Sequence, residues 1–365
     1  MNAHCKILHI ALSHGGGVEV YTRMLIEHTY KNYDTVLICA PEYNKKLLPA
    51  NSCTIYDMDV PREISVLKDV LKIRRIIKKE NPDILYCHSS MAGVVGRIAA
   101  IGSGCKVIYN PHGWSFDMAV SSVKKMLYRF TEKVLAVITD KIVTISEYEK
   151  GIALKNKICN KDKIEVIYNG IDLEKCKSGK AERNRLGYNE EAFIVGCAAR
   201  LSEQKDPLLF AEVAGCIAKR CPDARFIWVG AGEMAEDFAA ALKKNNAFDK
   251  TTITGWVDNP YEYISIFDVA VLFSKWEGFG LCLAEYLALG KPVVAANVGA
   301  VPEIIQDGIC GRLAESRNPE LIADEILAYR QCRNKNDISQ KCIKSAEKFD
   351  FKITADKTMK MIADL

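Results

Sequence analysis

The sequence predicts an α/β protein made of two doubly wound parallel sheets, and three observations predict it. Short β-branched runs alternate with helical patterns from end to end, which is how parallel strands joined by crossover helices read. The chain has 365 residues, 49% of them hydrophobic, too many for one small core and enough for two domains of Rossmann size. A polar stretch, LEKCKSGKAERNRLG, separates a strand ending at Asn169-Gly170-Ile171-Asp172 from the next apolar run, so the linker falls there. The expected organisation is an N-terminal domain over 1–172, a second domain over 173–348 and a closing helix over 349–365.

In the first half, short apolar runs mark strands near Ile7–Ala11, Thr35–Ala40, Ile84–His88, Val107–Asn110, Ile142–Ile145 and Glu165–Tyr168. In the second they fall near Phe193–Ala198, Arg225–Val229, Thr251–Thr254, Val269–Phe273 and Pro292–Ala296. Each half makes its own sheet, and two such sheets facing each other leave a cleft. Ligands of open parallel sheets bind beyond the carboxyl ends of the strands, so the strand-to-helix loops are where chemistry is sought.

Composition narrows the function. The formal charge is +4, divided as 24 Lys and Arg against 18 Asp and Glu up to Asp172, and 26 against 28 beyond it. That excess is too small for a duplex-binding surface, so no nucleic-acid partner is expected, but it favours an anionic substrate or membrane face on the N-terminal half. The 14 cysteines are scattered, with Cys39, Cys87 and Cys197 inside apolar runs, which reads as buried free thiols of a reducing cytosol. Cys216 and Cys221 lack the paired knuckles of a zinc site. The start, MNAHCKILHIALSHGGG, is no secretory leader, and no run reaches the roughly 18 apolar residues of a span. A cytoplasmic location is expected.

Three loops carry candidate chemistry. Ser13-His14-Gly15-Gly16-Gly17-Val18-Glu19 follows the first strand and opens a helix, so its amides could approach a phosphate; a plain tight turn explains it equally well. A nicotinamide site would also want an acid at the end of the second strand, where Glu42 stands close. In the second half, Arg200 and Lys205 lie five residues apart at a strand's carboxyl end. An Arg fork and a mobile Lys can together neutralise a diphosphate without metal, or can belong to a solvated loop. Glu277 lies in a glycine-containing loop and Glu285 inside the apolar helix Leu-Cys-Leu-Ala-Glu-Tyr-Leu-Ala-Leu, where a carboxylate must reach a ligand or be paired. Glu285 could accept both hydroxyls of a ribose while the amides of Phe279, Gly280 and Leu281 meet a phosphate or sugar at the helix N-terminus; a capping acid and a salt bridge are the alternative. Asp57-Met58-Asp59 spells D-x-D, two carboxylates that could chelate a divalent ion, and reads here as surface-loop carboxylates.

The run EGFGLCLAEYLALGKPVVAANVGAVPEII, with Arg200 and Lys205 upstream, resembles family 4 of the retaining glycosyltransferases. Glu277 and Glu285 match its E-x7-E motif. The resemblance is specific over about 193–315 and weaker over the N-terminal half, where Gly15 to Gly17, Pro111-His112-Gly113 and Tyr168-Asn169-Gly170-Ile171-Asp172 fall in the expected order. It implies a GT-B fold, two Rossmann-like domains facing across a cleft, in which the C-terminal helix often crosses back to the first domain. It further implies that Arg200 and Lys205 bind the donor's diphosphate, Glu285 its ribose and Glu277 its sugar hydroxyls. Gly16 and Gly17 would close over the phosphate, His112 would sit beside the reacting sugar, and the segment with Trp256 and Val257 would recognise the base. Leaving-group stabilisation by the two cations would drive same-face attack, with catalytic roles for His112, Arg200, Lys205 and Glu277, no metal and no cofactor beyond the nucleotide-sugar substrate.

For the acceptor, Trp114 and Phe116 read as exposed aromatics at the cleft mouth, suited to stacking on a sugar or touching a lipid chain. Two basic helices stand out, Lys68–Lys79 and Lys124–Lys133; the second, whose cations stand beside Met126, Leu127, Tyr128 and Phe130, can make peripheral contact with an anionic membrane or can be an amphipathic helix packed on the sheet with solvated lysines. The expected enzyme moves a hexose or N-acetylhexosamine, from a UDP-sugar in the first instance and a GDP-sugar in the second. The acceptor is a saccharide carried on polyprenyl diphosphate, in surface polysaccharide biosynthesis. The alternatives are a GT-B enzyme acting on a phosphosugar or free glycan, a nicotinamide-dependent oxidoreductase and a non-catalytic sugar-binding protein.

Overall fold

A computed structural model of the chain describes residues 5–13, 16–59, 66–118 and 120–365. Two compact units divide it: Met1–Gly170 with Phe351–Leu365, and Ile171–Asp350.

The first unit is a seven-stranded sheet of β1 (Lys6–Ala11), β2 (Asp34–Cys39), β3 (Thr54–Asp57), β4 (Ile84–His88), β5 (Lys106–Asn110), β6 (Lys141–Thr144) and β7 (Ile164–Val166). The order is β3-β2-β1-β4-β5-β6-β7 and each pair is parallel. The helices are α1 (Gly16–Thr29), α2 (Val66–Glu80), α3 (Ser90–Ala99), α4 (Ser122–Ala136) and α5 (Glu147–Lys155). Alternation along the strands serves two faces. Leu8, Ile10, Leu85, Cys87 and Tyr109 pack with residues of α2 and α3, while Ile7, Ile84, Tyr86 and Ile108 face α1 and the last helix.

The second unit has β8 (Phe193–Ala198), β9 (Ala224–Val229), β10 (Thr251–Ile253), β11 (Val269–Leu272), β12 (Val293–Ala296) and β13 (Gly311–Ala314), in the order β10-β9-β8-β11-β12-β13. Its helices are α6 (Leu173–Ser178), α7 (Pro207–Arg220), α8 (Ala235–Lys244), α9 (Pro260–Ser265), α10 (Leu281–Ala288), α11 (Val301–Ile304), α12 (Pro319–Arg330) and α13 (Lys335–Ala346). The final helix, α14 (Phe351–Ala363), returns to the first unit. Phe351, Ala355, Met361 and Ile362 enter the core beneath α1, and Thr354 Oγ1 donates to the Tyr168 carbonyl at 2.9 Å. A Cβ on Gly170 would stand 2.5 Å from Phe351 Cα, so glycine is what permits that approach.

Two strands were not anticipated. β3 is an edge strand of the first sheet with exposed residues and no apolar alternation, and β13 is Gly-Arg-Leu-Ala at an edge of the second sheet, beside β12. All 14 cysteines are free, with Cys39, Cys87 and Cys197 buried.

Candidate active site

In the second sheet the strand order reverses between β8 and β11, the place where loops diverge and leave a crevice. β8 runs into Arg200–Lys205 and β11 into Ser274–Gly280. Backbone and side chain stitch the two loops together: Lys275 N donates to the Gln204 carbonyl at 2.8 Å and Gln204 Nε2 to the Trp276 carbonyl at 3.0 Å. Arg317 anchors them from behind, donating to the carbonyl of Phe273 at 2.9 Å and that of Ser274 at 3.4 Å, and pairing with Asp206. Asp206 in turn caps α7 by accepting from Leu209 N.

At the centre, Lys205 Nζ lies 2.5 Å from Glu277 Oε2, which also accepts from Ser274 Oγ at 3.1 Å. Burial opposes the Lys205 charge, but Glu277, with Cys282 and Cys197 adding to it, more than offsets this and raises the ammonium's pKa. Arg200 is exposed and belongs to no ion pair among the described residues. Glu285, on the first turns of α10, accepts from the Tyr261 hydroxyl at 3.1 Å. Burial raises its pKa, only partly countered by that hydrogen bond. Phe279 is buried edge-on against Phe349. Gly280 is the N-cap at φ +89 with no side chain to offer, so the amides of Leu281 and Cys282 at the helix start have no side-chain cap, while that of Leu283 donates to the Gly280 carbonyl at 2.9 Å. Trp256 is 78% exposed, next to Gly255 at φ +67 and half-buried Val257.

In the first unit Gly16, at φ +75, and Gly17 are exposed at the start of α1, while His14 and Gly15 lie outside the described residues. His112 adopts φ 52, its amide donates to Asn110 Oδ1 at 2.9 Å, and its ring meets the Tyr21 ring edge-on at 4.7 Å. The expectation for Trp114 and Phe116 is corrected. Both are only 2% exposed, they stack on each other at 5.2 Å, and Trp114 Nε1 donates to the Glu149 carbonyl at 3.0 Å. Two large rings beside β5 gain more from the core than from water, so neither is placed to stack on an acceptor. In the D-x-D sequence, Asp57 pairs with Lys45 and Met58 is buried; both carboxylates belong to the first unit and Lys205 to the second.

The sequence profile described as Glycosyltransferase Family 4 matches residues 15–175, and the one described as Glycosyl transferases group 1 matches 179–349. The UDP-Gal:alpha-D-GlcNAc-diphosphoundecaprenol alpha-1,3-galactosyltransferase of Escherichia coli is 30% identical over 292 residues, 77% of this chain and 76% of that protein. The chain belongs to the family 4 glycosyltransferases. A 41.2 kDa protein from the cps region of Klebsiella pneumoniae is 30% identical to this glycosyltransferase over 338 residues, 87% of this chain and 88% of that one. Its fold is GT-B: Anabaena Alr3699/HepE, solved in complex with UDP and glucose, superposes with a TM-score of 0.84 at 20% identity, over 99% of this chain and 100% of that one.

Several residues that shape this glycosyltransferase's site escaped sequence reasoning. A Cβ on Gly230 or Gly232 would stand 2.2 Å or 2.1 Å from the carbonyls of Ala199 and Leu201, and one on Gly299 would stand 1.9 Å from that of Glu277. These glycines let neighbouring loops press onto the backbone that carries Arg200 and Glu277. The signal was present in Val229-Gly230-Ala231-Gly232, a glycine pair at the end of an apolar strand. Nothing local in the sequence marks Arg317, whose partners are distant in the chain.

Proposed function

We propose that this glycosyltransferase is a retaining, metal-independent enzyme that moves a hexose or N-acetylhexosamine from a UDP-sugar to a saccharide carried on polyprenyl diphosphate, in surface polysaccharide biosynthesis. The observation that carries the reading is the Lys205–Glu277 pair, with exposed Arg200 on the same loop after β8, at the reversal point of the second sheet. Two cations there can meet a diphosphate, and Glu277 is within reach of the sugar that the diphosphate carries. Glu285 takes the ribose hydroxyls, the start of α10 takes phosphate or sugar oxygens, and Trp256 and Val257 border the base. Gly16 and Gly17 serve the phosphate and His112 the sugar. The E. coli relative, whose name specifies a UDP-sugar and a diphosphoundecaprenol-linked acceptor, supports the donor and the carrier.

Breaking the anomeric C–O bond puts negative charge on the departing diphosphate, and Arg200 and Lys205 stabilise it where it develops. The acceptor hydroxyl attacks on the face the diphosphate leaves. Its oxygen forms the new bond to the anomeric carbon while its proton passes to the leaving phosphate oxygen, so an α-donor yields an α-linkage.

The acceptor's lipid calls for a membrane-facing surface, and α4 supports one at the inner leaflet. Val123, Met126, Leu127, Phe130 and Val134 are exposed, Phe130 by 63%, and their spacing puts them on one side of the helix. The opposite side carries the buried Glu132, Leu135 and Ala136. Exposed Lys124, Arg129 and Lys133 flank the apolar stripe, which fits an anionic bilayer. Among the described residues no helix is long and apolar enough to cross a membrane.

The test is transfer from UDP-galactose, UDP-glucose and their N-acetylhexosamine counterparts to GlcNAc-diphosphoundecaprenol in the presence of chelator, with the product anomer read by NMR. An α-linked lipid product is expected. Activity lost to chelator and restored by manganese overturns metal independence, and a β-product overturns retention. Transfer from GDP-sugars alone overturns the donor, and transfer to free glycans alone favours the alternative acceptor.

A further inference from the structure

Three histidines of the first unit stand in a row across its sheet. His9 lies in β1, His88 closes β4 and His112 follows β5, three strands adjacent in that order. His9 Nδ1 is 3.1 Å from His88 Nε2, and His88 Nδ1 is 3.3 Å from His112 Nε2. The ring planes differ by 20° and 30°, with centroids 5.4 Å and 5.6 Å apart. In both pairs the centroid distance exceeds the N···N distance by two imidazole radii. The rings therefore meet edge to edge in nearly one plane, the geometry of N–H···N hydrogen bonds. Ser89 and His112 hold φ of 88° and 52°, a backbone region that a non-glycine residue occupies only when its surroundings enforce it.

His9 and His88 are buried. Among the described residues, the groups that meet the row are Tyr21 from α1, Tyr86 from β4 and Asn110 from β5, with Thr358 of α14 against Tyr21, none of which is charged near neutral pH. Burial lowers His9 and His112 to about 3 and His88 well below its ordinary value, with its two histidine neighbours adding to the last. All three rings are neutral, each with one proton.

Each N–H···N bond needs one donor and one acceptor, which leaves two arrangements. Either all three rings carry the proton on Nδ1, or all three carry it on Nε2. In the second, the Nε2–H of His9 would be buried, and that atom has no hydrogen-bond partner among the described residues. A buried N–H without an acceptor is worse than a bare lone pair, so the first arrangement wins.

We propose that His9 and His88 are positioning residues that lock the tautomer of His112, so that it presents Nδ1–H as a fixed hydrogen-bond donor to an oxygen of the donor sugar. This rests on the assignment of His112 to the reacting sugar. A locked donor at Nδ1 cannot act as a base, which leaves the acceptor's proton to the departing phosphate.

Long-range proton–nitrogen spectra of the protein labelled with 15N-histidine read the tautomer with no assay of activity. The expected spectrum has His9, His88 and His112 protonated at Nδ1 and unchanged from about pH 8 to about pH 5. A proton on Nε2 of any of the three, or titration near the ordinary histidine value, overturns the lock even if transfer proceeds as proposed. The variants His9→Phe, which removes the Nδ1 donor, and His9→Asn, whose amide nitrogen branches from the same carbon, then test its role. Phe is expected to lower kcat roughly tenfold with little change in KM for the nucleotide sugar, and Asn to restore it. An unchanged kcat in folded His9→Phe, its fold checked by the same spectra, overturns the positioning role. If no transfer is found at all, the spectra of the native protein still decide the lock, so failure of the functional assignment is told apart from failure of this one.

Discussion

The Lys205 ammonium and the Glu277 carboxylate lie 2.5 Å apart, with Glu277 only 8% exposed, so the cation assigned to the leaving group is held by an anion before any substrate arrives. Removing one partner strands the other. Lys205→Met is expected to destabilise the fold by about 3 kcal/mol or more, because Glu277 is left buried and uncompensated. Adding Glu277→Gln should recover most of that stability and none of the turnover. Urea unfolding of the single and double variants checks this; a double variant no more stable than Lys205→Met would mean that the pair is not the source of the loss.

Arg200 is exposed and in no ion pair among the described residues, so the opposite separation is expected for it. Arg200→Ala should change stability by no more than about 0.5 kcal/mol while raising the barrier to transfer by roughly 2–4 kcal/mol. Steady-state kinetics beside thermal melts provide the check. Unchanged turnover would remove Arg200 from the mechanism.

Glu285 exchanges stability for binding. Burial raises its pKa above 4.5, so between 4.5 and that raised value the folded chain holds a proton that the unfolded chain has released. Stability therefore falls as pH rises through that window. Glu285→Gln keeps an acceptor for Tyr261 and removes the ionisation, so it should melt at the same or a higher temperature at neutral pH. It should also lose the stabilisation by UDP, which amounts to about 2.7 kcal/mol at a hundredfold excess over Kd. A full UDP shift in the variant would take the ribose away from Glu285.

The histidine row has the opposite sign. Folding lowers His9 from 6.5 to about 3, so below 6.5 the unfolded chain takes up a proton that the folded chain refuses. Stability is fully present above 6.5 and is lost as pH falls towards 3. At pH 5 the loss from His9 is about 2 kcal/mol, and buried His88 adds to it. Urea midpoints at pH 7 and pH 5 should differ accordingly, and less so in His9→Phe. Equal differences in both proteins would mean that the buried ring protonates in place.

The α4 surface is tested by sedimentation with vesicles. Binding to vesicles rich in anionic lipid should exceed binding to neutral ones and fall with salt. Replacing Met126, Leu127 and Phe130 by Ser should weaken it by at least tenfold with little change in stability, because these side chains are exposed in the free protein. Equal binding to both kinds of vesicle would count against the surface.

Much of this was legible locally. The apolar strands of both sheets, the loop positions of Arg200, Lys205 and Glu277, and the helix bearing Glu285 all follow from alternation, strand length and the glycines that end strands. Where reading failed, it failed for a physical reason. β3 is an exposed edge strand without apolar alternation. Trp114 and Phe116 sit in a loop with glycine and proline, which locally resembles a surface loop, yet the space beside β5 absorbs both rings. His9 looks like a single polar interruption of an apolar strand and His88 like the polar end of another until the sheet brings them together.

The residues proposed for sugar-transfer chemistry were singled out from the sequence alone, because residue type and spacing after a strand depend only on near neighbours. The fold class and the two-unit organisation were determined there too. What only the tertiary structure decided is how those residues are paired: Lys205 with Glu277, Glu285 with Tyr261, and His112 with His88 and His9. The partners are separated by tens of residues, and burial depends on what the rest of the chain brings to each one.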